Sequence, residues 1–197
     1  RNLLEVSLKK EAYKSWLSKG GKDSQSLAAD LYTSICFLPK DNETRDEIPT
    51  SEHLMRVIDG TPIPQKMFDA IETVSRSSRF FHWYIRFGEV INNGGFDCLL
   101  GNPPWERIKL QEKEFFAGRS EEITNAPNKA KRDRLIKALG EADANDVERH
   151  LLRQFNLAKR YSESLCQFIR SSQRYKLTAK GDLNFYPLFA EQFLNLL

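Results

Sequence analysis

Gly94-Gly95-Phe96-Asp97-Cys98-Leu99-Leu100-Gly101-Asn102-Pro103-Pro104-Trp105 is the stretch whose reading decides the fold. A short apolar run follows a Gly-Gly break and stops at a proline pair. That pattern predicts a buried parallel strand over Phe96 to Leu100 inside an α/β sheet. Neither Pro103 nor Pro104 has an N–H to give a neighbouring strand, and both have φ fixed. Asn102 is pushed extended by the proline behind it. A stiff turn is therefore expected at the carboxyl edge of the sheet, where open α/β folds bind ligands. It presents an amide side chain, backbone carbonyls and an indole. The plainer alternative is a structural strand-to-helix turn.

These parts suit the capture of a planar amino group and the ring that carries it. The Asn102 side-chain carbonyl and the Pro103 backbone carbonyl can accept both hydrogens of an exocyclic NH2. Two such bonds draw the nitrogen toward a tetrahedral, nucleophilic form, and Trp105 supplies a stacking floor. Here the sequence resembles the amino-directed DNA methyltransferases, whose catalytic motif is Asn/Asp/Ser-Pro-Pro followed by an aromatic. The likeness extends to Phe81-His82-Trp83, Glu89-Val90, Gly94 to Arg107, Lys109 to Glu112 and Glu114-Phe115-Phe116, which are similar to the large bacterial restriction-modification methylases. The resemblance implies a Rossmann-like, S-adenosylmethionine-dependent α/β fold, predominantly helical in this portion with few strands. It implies Asn102, Pro103, Pro104 and Trp105 as catalytic residues, with Asn at the first motif position pointing to adenine. It further implies double-stranded DNA as partner, together with other subunits of a restriction or phage-defence system.

The cofactor side of that expectation has no counterpart in the chain. Methyltransferases of this kind hold S-adenosylmethionine at a Gly-rich loop after the first strand, where glycine lets the backbone approach the ligand. No two of the ten glycines are separated by a single residue, so there is no Gly-x-Gly. No strand–loop–helix unit is expected before residue 90. In family order that loop precedes the catalytic strand, so Arg1 is expected to lie after it. The apolar run Phe193 to Leu197 is expected to lead into a further core strand. The chain thus reads as a middle section of a larger enzyme, inactive alone.

Composition narrows the class. With 40% hydrophobic and 29% charged residues the chain has the make-up of a water-soluble globular protein. No apolar run approaches the roughly 20 residues of a membrane span. Cys36, Cys98 and Cys166 lie in apolar patterns without Cys-x-x-Cys spacing, which predicts buried free thiols in a reducing cytoplasm. His53, His82 and His150 are equally scattered, so no metal site is expected. Between Arg149 and Lys180 eight basic side chains face one acid, Glu163. Arg153, Lys159, Arg160, Arg170 and Arg174 within this segment are the candidate phosphate contacts; a solvated helix face is the competing reading.

Along the chain, periodicity predicts helices over residues 3–18 and from Ser24 or Ser26 to Leu38, with Pro39 as the stop. A polar loop follows. Thr50 or Ser51 caps a short helix ended by Gly60, and Pro64 opens another with the stripe Met67, Ile71, Val74. Phe80 to Asn93 is too densely aromatic for one helical face, and is read as a connector packed beneath the central strand in preference to a cofactor box. Glu106 to Phe116 is expected to be helical, residues 117–128 a loop and Lys129 to Leu139 a basic helix. Asp143 or Asn145 then caps a long amphipathic helix bearing Val147, Leu151, Phe155, Ala158, Leu165 and Ile169. A last apolar helix starts near Phe185, with Pro187 in its first turn. Segments are accordingly drawn at 1–78, 79–128 (the catalytic strand and turn), 129–180 (the basic insertion) and 181–197. Two other functions keep the same motif in view. One is methylation of an RNA base or a protein glutamine; the other is a catalytically silent nucleic-acid-binding module.

Overall fold

The computed structural model describes residues 24–141 and 143–197. The helix expected over residues 3–18 lies outside them. The described residues are mostly helical, and the chain divides into two units, Arg1–Glu89 and Val90–Leu197.

Among the described residues, the first unit is built on α1 (Ser24–Ser34), α2 (Ser51–Ile58) and α3 (Gln65–Ser77). Their apolar stripes meet in one cluster of Leu31, Val57, Met67 and Ile71, edged by Leu27, Ala28, Leu54 and Ile63. Local chemistry sets the boundaries. Thr50 caps α2 reciprocally with His53, the ring nitrogen lying 3.2 Å from the Thr50 amide, and Gly60 leaves the helix with φ +74°. Pro64 is the N-cap of α3. The first helix ends at Ser34, a turn short of the expected Leu38. Cys36, Phe37 and Leu38 are instead tied by turn bonds to Thr33 and Ser34, with Phe37 and Leu38 buried.

The aromatic connector folds as α4 (Trp83–Arg86) and α5 (Gly88–Asn92). Phe81, Trp83 and Phe87 cluster with one another, Trp83 and Phe87 stacking at 5.5 Å. His82 turns the other way, its Nε2 lying 2.9 Å from Asp30 Oδ1, while Ser75 Oγ donates to Asp30 Oδ2 at 2.9 Å. Asp30 is buried, so a carboxylate that would be costly alone is satisfied from two elements and ties them to α1.

The second unit is organised by the 26-residue α9 (Asp146–Ser171), preceded by α6 (Glu112–Phe116), α7 (Glu121–Thr124) and α8 (Lys129–Ala138) and followed by α10 (Phe185–Leu194). Asn145 opens α9 with a capping box to Glu148. The N-terminal half of α9 joins α6, α7 and α8 in a cluster of Phe116, Ile123, Ile136, Leu139 and Phe155. Its C-terminal half joins α10 in a second cluster of Ile108, Ile169, Leu183 and Leu188. Val147, expected on the apolar stripe, is exposed in the first turn of the helix. The expected loop at residues 117–128 contains α7, capped by the Ser120 hydroxyl.

Two expectations at the centre of the chain are corrected. Phe96 to Leu100 is not a strand, and it is not buried: Cys98 is exposed and Leu100 is 94% exposed. A strand exists only by pairing, and no strand flanks this run among the described residues; their one isolated strand-type bridge joins Arg107 to Asn184. Cys98 is therefore an exposed thiol. Glu106 to Leu110 is non-helical and bends at Ile108 and Lys109 where a helix was expected, because its backbone groups are claimed from outside: Ile108 N–H by Leu183 and Leu110 N–H by Ser162.

Candidate active site

The Gly94–Leu110 stretch lies along α10 and runs in the opposite direction, attached at three levels. At the first, Phe96 N–H donates to Leu196 C=O at 2.9 Å. Gly95 (φ +95°) is there because a Cβ would stand 2.5 Å from the Leu197 carbonyl oxygen. At the second, Gly101 sits against the Phe193 ring, where a Cβ would be 3.1 Å from Cζ. At the third, Asn184 Nδ2 donates to Trp105 C=O at 3.2 Å, Phe185 N–H to Glu106 C=O at 3.2 Å and Ile108 N–H to Leu183 C=O at 3.1 Å. Between the second and third levels stand Asn102, Pro103 and Pro104.

Helix α9 supports the third level from the side. Buried Ser162 Oγ donates to Ile108 C=O at 2.7 Å and accepts from Leu110 N–H at 2.9 Å. One hydroxyl thus satisfies both backbone groups of a bend that makes no ladder of its own. The exposed pair Arg107 and Asp182, 3.5 Å apart, adds little to this.

The motif itself is open to solvent. Asn102 is exposed, and its side chain makes no hydrogen bond with another described residue. Pro103 is half-buried and Pro104 exposed. Trp105 is 77% exposed, and its indole stacks on Tyr186 with ring centroids 5.7 Å apart and planes 25° from parallel. The backbone is anchored on both sides of Asn102, and the Asn102 amide and the indole are left exposed.

The basic residues are brought together only in part. Arg153, Lys159 and Arg170 are exposed on α9, Arg160 is half-buried on the same helix, and Arg174 lies beyond its end. Arg153 and Arg160, seven residues apart, share a strip, and Lys159 and Arg170, eleven apart, share the adjacent one. Arg170 donates to Gly181 C=O at 3.0 Å, and the Arg174 guanidinium lies 5.5 Å from the Phe168 ring centre. Cys166 faces the same side, and burial pushes its thiol up, against the opposing pull of Arg170 and Lys109. No group of His, Cys, Asp or Glu side chains among the described residues could hold a metal ion. None of their helices is long and apolar enough to cross a membrane.

Sequence reasoning missed Ser162, Asn184 and Tyr186 as parts of the site. A signal existed for Ser162, a hydroxyl at a buried register of an amphipathic helix. An asparagine directly before an apolar helix is a cap signal, but nothing local shows that its amide reaches Trp105, 79 residues earlier.

Neither the curated proteins nor the solved structures show a significant match to this chain. The family described as Eco57I restriction-modification methylase matches residues 16–136, a span that contains the exposed Asn102–Trp105 motif and ends before α9 with its basic face. Covering more than half of the chain, that match establishes that the chain belongs to the Eco57I restriction-modification methylase family.

Proposed function

We propose that the chain carries the amine-orienting face of an adenine-specific DNA methyltransferase of a restriction-modification or phage-defence system. The single observation that carries this reading is the exposed Asn102-Pro103-Pro104-Trp105 motif, held at both ends against α10 and lying within the family match. A target adenine stacked inside a duplex is unreachable, so the base is flipped out before reaction. Its ring lies on Trp105, and its 6-amino group donates to the Asn102 side-chain carbonyl and the Pro103 carbonyl. Those two bonds hold the nitrogen lone pair toward the incoming methyl group, so most of the acceleration is orientation. With a sulfonium-borne methyl group supplied there, the nitrogen would form the new N–C bond as the C–S bond breaks to leave a neutral thioether, and the amine would then release a proton to solvent.

S-adenosylmethionine, the methyl donor that the family implies, supplies an electrophilic methyl group on a sulfonium. The chain has no Gly-x-Gly, and the described residues contain no strand–loop–helix unit to hold the donor, so no residue here is assigned to it. We place its Gly-rich loop outside the described residues, in a Rossmann-like sheet. Residues 1–78 and 79–128 then lead into and form the catalytic face. Residues 129–180 are an insertion whose basic helix meets phosphates, and 181–197 begin the next core element.

Asn102→Ala tests the reading in the methyl-transferring enzyme. Removing one well-placed polar stabiliser costs about 100- to 1,000-fold in rate. Turnover is therefore expected to collapse while DNA binding survives; wild-type turnover would remove Asn102 from the mechanism.

A further inference from the structure

Trp105 is held twice by the start of α10. Its carbonyl accepts from the Asn184 side chain at 3.2 Å, and Asn184, as the helix cap, accepts the Tyr186 N–H through Oδ1 at 3.1 Å. Tyr186 in turn covers one face of the indole at 5.7 Å and 25°, within the range of favourable offset stacking. The indole nonetheless remains 77% exposed, which leaves its second face free.

We propose that Tyr186 is a positioning residue that backs Trp105, so that the free face of the indole is presented in a fixed plane to an incoming base. The bound state is a three-ring stack in the order Tyr186, Trp105, base. This rests on the reading of Trp105 as the stacking floor. An indole on an exposed turn would otherwise sample several rotamers, and binding would have to bear the cost of ordering it; Tyr186 shifts that ordering into folding. The opposite role, in which the Tyr186 ring occupies the place of the base and must be expelled, predicts the opposite sign and serves as an outcome of the test.

The probe is single-stranded oligo(dA), which offers stackable bases without requiring the recognition sequence. Trp16→Phe and Trp83→Phe leave Trp105 as the sole indole in the 197-residue chain. Its fluorescence anisotropy decay reports the freedom of the ring, and its quenching by oligo(dA) reports stacking. Tyr186→Phe is expected to match the parent in both. Tyr186→Leu, which keeps apolar bulk on α10, and Tyr186→Ala are expected to add a fast depolarisation and weaken oligo(dA) binding about 2- to 10-fold, the factor for ordering one side chain. Far-ultraviolet circular dichroism checks that α10 persists in both. Quenching in the parent with unchanged anisotropy and affinity in Tyr186→Leu would overturn the proposal alone, as would tighter binding. No quenching in the parent would overturn the stacking reading of Trp105, and the proposal with it.

Discussion

Asn102 and Trp105 are treated differently by the structure although three positions separate them. The Trp105 backbone is bonded by Asn184 and its ring is stacked on Tyr186, whereas the Asn102 amide makes no hydrogen bond with another described residue. In the proposed mechanism this is the required order. The stacking surface is prepared in advance, and the amide finds its partners only when an amine arrives, as catalytic hydrogen bonds commonly do. Substitution at Trp105 should therefore act on capture of the base. Trp105→Ala removes stacking worth about 1–3 kcal/mol and is expected to raise KM for DNA while affecting kcat less. Trp105→Phe should keep much of the activity, and steady-state kinetics on the three proteins checks the split. The motif stands out in the sequence because proline fixes its backbone locally; the contacts of asparagine and tryptophan with a base belong to the proposed mechanism. The role of Gly95 does not stand out, because the Leu197 carbonyl that leaves no room for a Cβ lies far along the chain, as does the Phe193 ring that crowds Gly101.

Helices α2 and α3 were legible because they have their own start and stop signals, Thr50, Gly60 and Pro64. The same holds for Asn145 at the head of α9. Glu106 to Leu110 was misread for the complementary reason. Its charged, helix-compatible composition is overridden by bonds from Leu183 and Ser162, which no local pattern reveals. Phe96 to Leu100 has the composition of a strand but no strand beside it among the described residues. Ser162 gives the element scale its first test. Ser162→Ala leaves Ile108 C=O without the hydroxyl and Leu110 N–H without an acceptor, at a cost of about 1–3 kcal/mol read by urea denaturation. Its second test is the basic face of α9. Neutralising Arg153, Lys159, Arg160, Arg170 and Arg174 is expected to weaken binding to all DNA sequences alike and to flatten the dependence of affinity on salt. An unchanged salt slope would leave the face a solvated one.

For the molecule as a whole, the family match makes this a chain of the restriction-modification methylase family, and within its second unit the described helices are joined by a non-helical stretch that carries the Asn102–Trp105 motif. Buried Glu191 fastens α10 to the link that precedes it. Burial pushes its carboxyl up, but the Thr178 hydroxyl and the amides of Leu177, Thr178 and Lys176 more than offset this and hold it below the usual carboxylate range. A depressed folded-state value stabilises the fold above the unfolded value, near 4.5, and that contribution is lost as pH falls through the folded one. Glu191→Gln should accordingly flatten the loss of stability on acidification below about pH 4.5, measured by thermal unfolding across pH. The glycine pattern carries a further expectation, that the 197-residue chain binds S-adenosylmethionine weakly or not at all by calorimetry. Tight binding would place the cofactor site within these residues. The most direct test of the central claim is the chemical identity of the product. DNA modified in cells expressing the enzyme, with Asn102 intact or changed to Ala, is digested to nucleosides and the methylated species are identified by mass spectrometry. The account predicts N6-methyladenine that disappears with Asn102→Ala; methylcytosine as the product, or N6-methyladenine formed equally by the variant, would contradict it.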